Sequence, residues 1–232
     1  MTVSLNSVPF LTNDEIEQQS WNLIWDFSQN ESWNISAPIP VETIAENYLK
    51  YQIEITTEGL FKEPGVLGGI IFEENTIQVN GAIENQEGRY NFTVAHELGH
   101  HSLHKNWLNS IKNQQTLFDT DEAPGILCRE VGKKPYGEIQ ADKFAAALLM
   151  PPSMVTTSFR HVYSERINLK ILSDSSSFWD NPNMRASSIA EEVIDAGNFQ
   201  NVSITAMVNR LITLKLITGI EYQRNDPILN IV

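Results

Sequence analysis

Val94-Ala95-His96-Glu97-Leu98-Gly99-His100-His101 is the stretch from which the rest of this 232-residue chain is read, because it holds the pattern His-Glu-x-x-His. Two histidines four residues apart lie one turn apart on the same helix face, so both imidazoles can reach one metal ion. The glutamate beside the first histidine then stands next to the metal, placed to take a proton from water that the ion acidifies. These residue types at this spacing point to metal-assisted hydrolysis, with His96 and His100 as ligands and Glu97 as catalytic base.

Working outward, the pattern predicts a helix over about 88–104. Phe92, Ala95, Gly99 and Leu103 mark one apolar stripe and Val94 and Leu98 a second flank, so the helix is expected to be buried, with its histidines facing the polar cleft that remains. Gly99 costs about 1 kcal/mol against alanine inside a helix. Its presence there predicts that another backbone, or a substrate, passes close by.

A metal needs at least a third protein ligand, and a catalytic site leaves a fourth position to water. His101 points roughly 100° away from His100 on a helix, so it packs or faces solvent. His104 lies about 12 Å along the axis from His96, too far to share one ion when metal–nitrogen bonds are about 2 Å, and is expected to be structural. His161 lies beyond the di-proline Pro151-Pro152, as a lone histidine in a mixed helix. Glu138 is the favoured ligand. It opens Glu138-Ile139-Gln140-Ala141-Asp142-Lys143-Phe144-Ala145-Ala146-Ala147-Leu148-Leu149-Met150, a strong helix that Pro151 stops. Glu138 and Asp142 share a face with Ala145, Ala146 and Leu149, and such small residues let this helix lie close against the metal helix. Asp142 is then placed to accept the free N–H of a ligating histidine. Zinc suits the set, and manganese or iron also fits two histidines and one carboxylate.

Earlier in the chain, Thr12 with Glu15 forms a capping-box pattern ahead of a helix over about 13–28, with Trp21 and Trp25 expected to pack against the body of the protein. A linker runs from Glu31 to Pro40, and a second helix is expected from there through Leu49. The period then changes to two in residues 51–55, 69–72 and 76–79, the last two flanking Glu73-Glu74-Asn75, so a small antiparallel sheet with a hairpin precedes the metal helix. An edge of such a sheet can hold a substrate peptide as an added strand.

The remaining composition narrows the class. The longest uninterrupted apolar run, Phe144 to Met150, is far short of the roughly 20 residues needed to cross a bilayer, so no membrane association is expected. The opening residues MTVSLNSVPFLTND lack the basic and apolar regions of a signal peptide. The single cysteine, Cys128, reads as a small packing side chain rather than a nucleophile, and a cytoplasmic location is expected. A net charge of −13 argues against extensive duplex DNA binding. Toward the C-terminus, Ser188 with Glu191 reads as a second capping box and Gly197 as a stop, while Ser203 caps a helix over 204–216. Residues 186–232 carry five acids against three bases, which disfavours a DNA-reading helix-turn-helix.

Four stretches together resemble the ImmA/IrrE family of bacterial and phage metallopeptidases: PVETIAENYLKYQIEI at 40–55, RYNFTVAHELGHHSLH at 89–104, EIQADKFAAALLMP at 138–151 and VSITAMVNRLITLKLI at 202–217. The resemblance implies a cytoplasmic zincin-like peptidase whose substrate is a helix-turn-helix transcriptional repressor. It implies one zinc ion on residues matching His96, His100 and Glu138, with Glu97 as base. The chain departs from the pattern in its N-terminal helix and in the 33 residues from Lys105 to Gly137, which include an expected loop over 119–125.

The expected fold is α+β: a zincin-like core with the sheet packed on the His-Glu-x-x-His helix, then a helical C-terminal part. The expected division is residues 1–39 as N-terminal helix and linker, 40–160 as core, and 161–232 as a helical part packed on it. The expected function is zinc-dependent endopeptidase action on a protein regulator, with Tyr136, His161 or Tyr163 available to assist the developing oxyanion. The competing reading is a metal-stabilised regulatory protein that engages a partner or single-stranded nucleic acid without proteolysis; single-stranded nucleic acid is also a candidate activator of the peptidase.

Overall fold

The computed structural model describes residues 5–58, 66–115, 126–129, 135–170 and 181–220. The expected loop over 119–125 and the polar run Ser173–Ser177 lie outside the described residues, as does the side chain of Cys128. The chain forms two compact units, one of residues 1–35 and 40–148, the other of 36–39 and 149–232.

In the first unit, helix α1 spans Asn13–Glu31. Its start follows from the predicted capping box: the Thr12 hydroxyl accepts the Glu15 N–H at 3.3 Å, and the Glu15 carboxylate accepts the Thr12 N–H at 2.7 Å. Thr12→Ala removes one of these bonds and is expected to cost about 1 kcal/mol, with Thr12→Ser close to neutral; urea denaturation midpoints read both. Ile16, Leu23, Ile24 and Phe27 form the buried face of α1, each such side chain contributing about 1.5–3 kcal/mol by leaving water. Trp25 does not pack with them. It is 51% exposed, because one position beyond Ile24 the helix has turned it away from the buried stripe.

Helix α2 begins at Val41–Thr43 and widens into a π-type turn over Ile44–Tyr48, so the expected helix through Leu49 is shorter and looser than its periodicity suggested. Strands β1 (Gln52–Thr56), β2 (Val66–Ile71), β3 (Thr76–Asn80) and β4 (Ile126–Arg129) form one sheet in the order β1-β3-β2-β4. The β2–β3 hairpin is antiparallel, with Ile70 opposite Ile77. β1, by contrast, joins β3 in parallel, Ile53 beside Ile77, so the sheet is mixed. Alternating hydrophobicity specifies which face of a strand is buried, not which neighbour it takes or in which direction.

Helix α3 spans Glu87–Gln115, longer than predicted, and packs on β2 and β3. Every residue from Thr93 to His100 is buried. Helix α4 spans Tyr136–Leu149 and ends at the di-proline. The segment before α1 lies along α4: the Phe10 and Tyr136 rings stack at 6.0 Å, and the Lys143 Nζ donates to Asn13 Oδ1 at 2.9 Å.

In the second unit, α5 (Pro152–Val162), α6 (Pro182–Gly197) and α7 (Ile204–Thr213) pack around Val155, Phe159, Ala190, Val193, Met207 and Leu211. Two short strands, β5 (Ile167–Asn168) and β6 (Ile217–Thr218), pair in parallel. α6 does not begin at the predicted Ser188–Glu191 box. Asn181 caps it, accepting the Asn183 N–H at 2.9 Å, and Pro182 supplies the first helical position. A Ser-x-x-Glu spacing also occurs inside a helix, where those backbone N–H groups are already bonded. Ser203 caps α7 as expected, accepting the Ala206 N–H at 3.1 Å. Among the described residues, no helix is long and apolar enough to cross a membrane.

Candidate metal centre

The His-Glu-x-x-His turn of α3 faces the first turn of α4, and the approach is controlled by Gly99. A Cβ there would sit 3.1 Å from the Ala141 Cα and carbonyl oxygen and 3.3 Å from the Phe144 Cβ. The close passage predicted for Gly99 is therefore made by the backbone of α4. Gly99→Ala gains about 1 kcal/mol of helix propensity but must move α4, a strain of about 1–3 kcal/mol. Net destabilisation is expected in thermal melts, with weaker metal binding because Glu138 moves with α4.

The crossing brings together His96 and His100 from α3 and Glu138 from α4, all buried, with one potential ligand atom of each within 4.8 Å of the others. The Nε2 atoms of His96 and His100 are 3.0 Å apart. Glu138 Oε2 lies 3.2 Å from His96 Nε2, and Glu138 Oε1 lies 3.3 Å from His100 Nε2. Tetrahedral bonds of about 2.0–2.1 Å place ligands about 3.3 Å from one another, so the three edges match the donor spacing of a small divalent ion. The donor chemistry fits as well, since two imidazole nitrogens and a carboxylate at this range suit a cation.

Protonation follows the same lines. Burial alone would raise the Glu138 carboxyl, but its close contacts with His100 and His96 outweigh it and hold the group well below the usual carboxylate range. Burial pushes His100 down, which favours the neutral, ligating imidazole. Asp142 Oδ1 lies 3.0 Å from His96 Nδ1, so it can accept that N–H and leave Nε2 for the metal.

Glu97 is fully buried, and neither carboxylate oxygen has a hydrogen-bond partner among the described residues. Such buried carboxylates without a hydrogen-bond partner are uncommon, and the Glu138 oxygens beside it share the property. Strand β2 leaves room for it at Gly68, where a Cβ would lie 3.1 Å from Glu97 Oε1 and 2.4 Å from Thr93 Cγ2. Gly68 was not among the residues read from the sequence. Its signal is a glycine inside the apolar strand Val66–Ile71, which marks close approach of another element.

His104 lies outside the donor triangle, as expected. It is buried, with Nδ1 2.9 Å from His100 Nδ1 and Nε2 2.8 Å from Gln140 Oε1. His101 is half-buried, its Nδ1 2.8 Å from the Tyr51 hydroxyl. Of the three candidate oxyanion donors, Tyr136 directs its hydroxyl to the Leu11 carbonyl at 3.4 Å. His161 and Tyr163 belong to the second unit, where burial and then a hydrogen bond to Glu192 push the Tyr163 phenol up to about 12.

Residues 50–170 match the IrrE N-terminal-like domain, peptidase family M78. No curated protein matches the chain. The matched region carries the sheet, α3, α4 and all three donors, and spans more than half of the 232 residues; the chain belongs to this family and is a metallopeptidase.

Proposed function

We propose that the chain is a zinc-dependent endopeptidase that cleaves a protein regulator, a helix-turn-helix transcriptional repressor being the expected kind, in the cytoplasm. The observation that carries this reading is the pairing of a convergent His96, His100 and Glu138 donor set with a buried Glu97 carboxylate that has no hydrogen-bond partner among the described residues. His96, His100 and Glu138 would hold the ion. When bound, zinc supplies Lewis acidity, which acidifies water and polarises the scissile carbonyl.

The chain's own residues supply the rest. Glu97 takes the proton of the attacking water and hands it to the leaving amine, the two halves of general base and general acid catalysis. Asp142 orients His96 by accepting its Nδ1–H. An extended substrate can pair with an edge of the sheet whose β2 strand lies over Glu97.

The test is covalent. Mass spectrometry of a helix-turn-helix repressor co-expressed with the chain should find defined fragments, absent with Glu97→Gln. Equal fragments from both would remove Glu97 from the mechanism, and an intact repressor in both would remove that substrate class.

A further inference from the structure

Three residues beyond the ligand set, Pro9, Gln140 and His104, form a hydrogen-bonded series that ends on His100, and their chemistry fixes its direction. The Pro9 carbonyl can only accept, so Gln140 turns its Nε2 amide toward it, at 2.9 Å. Gln140 Oε1 therefore faces the other way, 2.8 Å from His104 Nε2. That oxygen accepts, so His104 carries its proton on Nε2. With that proton on Nε2, the nitrogen His104 turns to His100 is Nδ1, which accepts. His100 Nδ1, 2.9 Å away, must then be the donor. A neutral imidazole has one N–H, which leaves His100 Nε2 as a lone pair, 3.0 Å from His96 Nε2 and 3.3 Å from Glu138 Oε1.

We propose that His104 and Gln140 are positioning residues of the metal centre, which through this relay hold His100 in its Nδ1–H tautomer with the Nε2 lone pair turned to the ion. Asp142 does the same for His96 by direct contact. The two histidines are thus set by different means, one by a carboxylate and the other by a neutral chain of two side chains ending on the backbone. Free imidazole side chains favour the Nε2–H form, so without the relay His100 would present a proton where a ligand is needed.

Pro9 lies outside the matched residues 50–170, in the segment held along α4 by the Phe10–Tyr136 stack and the Lys143–Asn13 bond. The N-terminal segment, whose purpose the sequence left open, ends the relay and fixes which way the Gln140 amide faces.

This inference rests on His100 being a metal ligand, and both of its measurements are made without substrate. In the metal-free full chain near neutral pH, ¹⁵N–¹H correlation spectra of the histidine rings should show His100 as Nδ1–H and His104 as Nε2–H. Gln140→Leu should release His104 from that tautomer and weaken zinc binding about 10–100-fold in a chelator competition. His100 as Nε2–H in the parent protein would overturn the relay, and this outcome does not depend on any variant folding. Unchanged affinity and tautomers in a folded Gln140→Leu would overturn it as well. A relay found intact in a chain that cuts no protein would instead count against the peptidase reading and leave the relay standing.

Discussion

Glu97→Gln is expected to lower peptide-bond hydrolysis by roughly 10²–10⁴-fold, the range supplied by a positioned general base, while zinc stays bound with little change in affinity. The amide keeps the size and burial of the carboxylate but cannot take a proton. Stability moves the other way. In the metal-free protein burial comes first, joined by the charges of Glu138 and Asp142 and opposed by that of His96, and together they push the Glu97 carboxyl from 4.5 up to about 8. An acid with a raised pKa holds in the fold a proton that the unfolded chain releases. Its contribution is complete below pH 4.5 and is lost as pH rises toward 8. Metal-free Glu97→Gln should therefore melt with the parent near pH 4 and progressively above it up to pH 8. Bound zinc favours the carboxylate and should narrow that gap. An advantage for the variant that grew toward acid pH would reverse the assignment.

Glu138→Ala is expected to have the second large effect, on metal binding itself. Glu138 supplies the only donor from α4, and its loss leaves two imidazoles of one helix turn, which cannot close a three-ligand site. A ligand that binds only the fold stabilises it by about 4 kcal/mol at a free concentration 1,000 times its Kd. That zinc-dependent rise in melting temperature should be present in the parent and absent in Glu138→Ala, with calorimetric zinc titration falling to background. Glu138→Asp keeps the carboxylate on a shorter arm and should recover part of the rise. A full zinc-dependent shift in Glu138→Ala would place the third ligand elsewhere.

The legible part of this protein is local. His96, Glu97 and His100 follow from the period of one helix, and Glu138 with Asp142 follows from a carboxylate face that also carries small residues, so two helices could be set against each other from sequence. Gly99 was readable for the same reason, as a helix glycine that only a close neighbour explains. What the sequence withheld depends on distant packing. The contact of Gly68 with Glu97 requires knowing which strand covers α3, and the parallel placement of β1 requires the path of the chain between strands. His104 was set aside as a ligand by its place on the helix, but its contact with Gln140 spans 36 residues and that of Gln140 with Pro9 spans 131. The misread start of α6 is the converse case, a local pattern at Ser188 that Asn181-Pro182 overrides.

The central claim is that one divalent ion sits on His96, His100 and Glu138, and X-ray absorption at the zinc edge of the loaded protein, with metal content measured on the same sample, tests it most directly. The account predicts one zinc per chain with nitrogen and oxygen neighbours at about 2.0–2.1 Å and an imidazole signature that Glu138→Ala abolishes. A sulfur neighbour at about 2.3 Å, which Cys128 would have to supply, or a chain that stays free of metal in excess zinc, would contradict it.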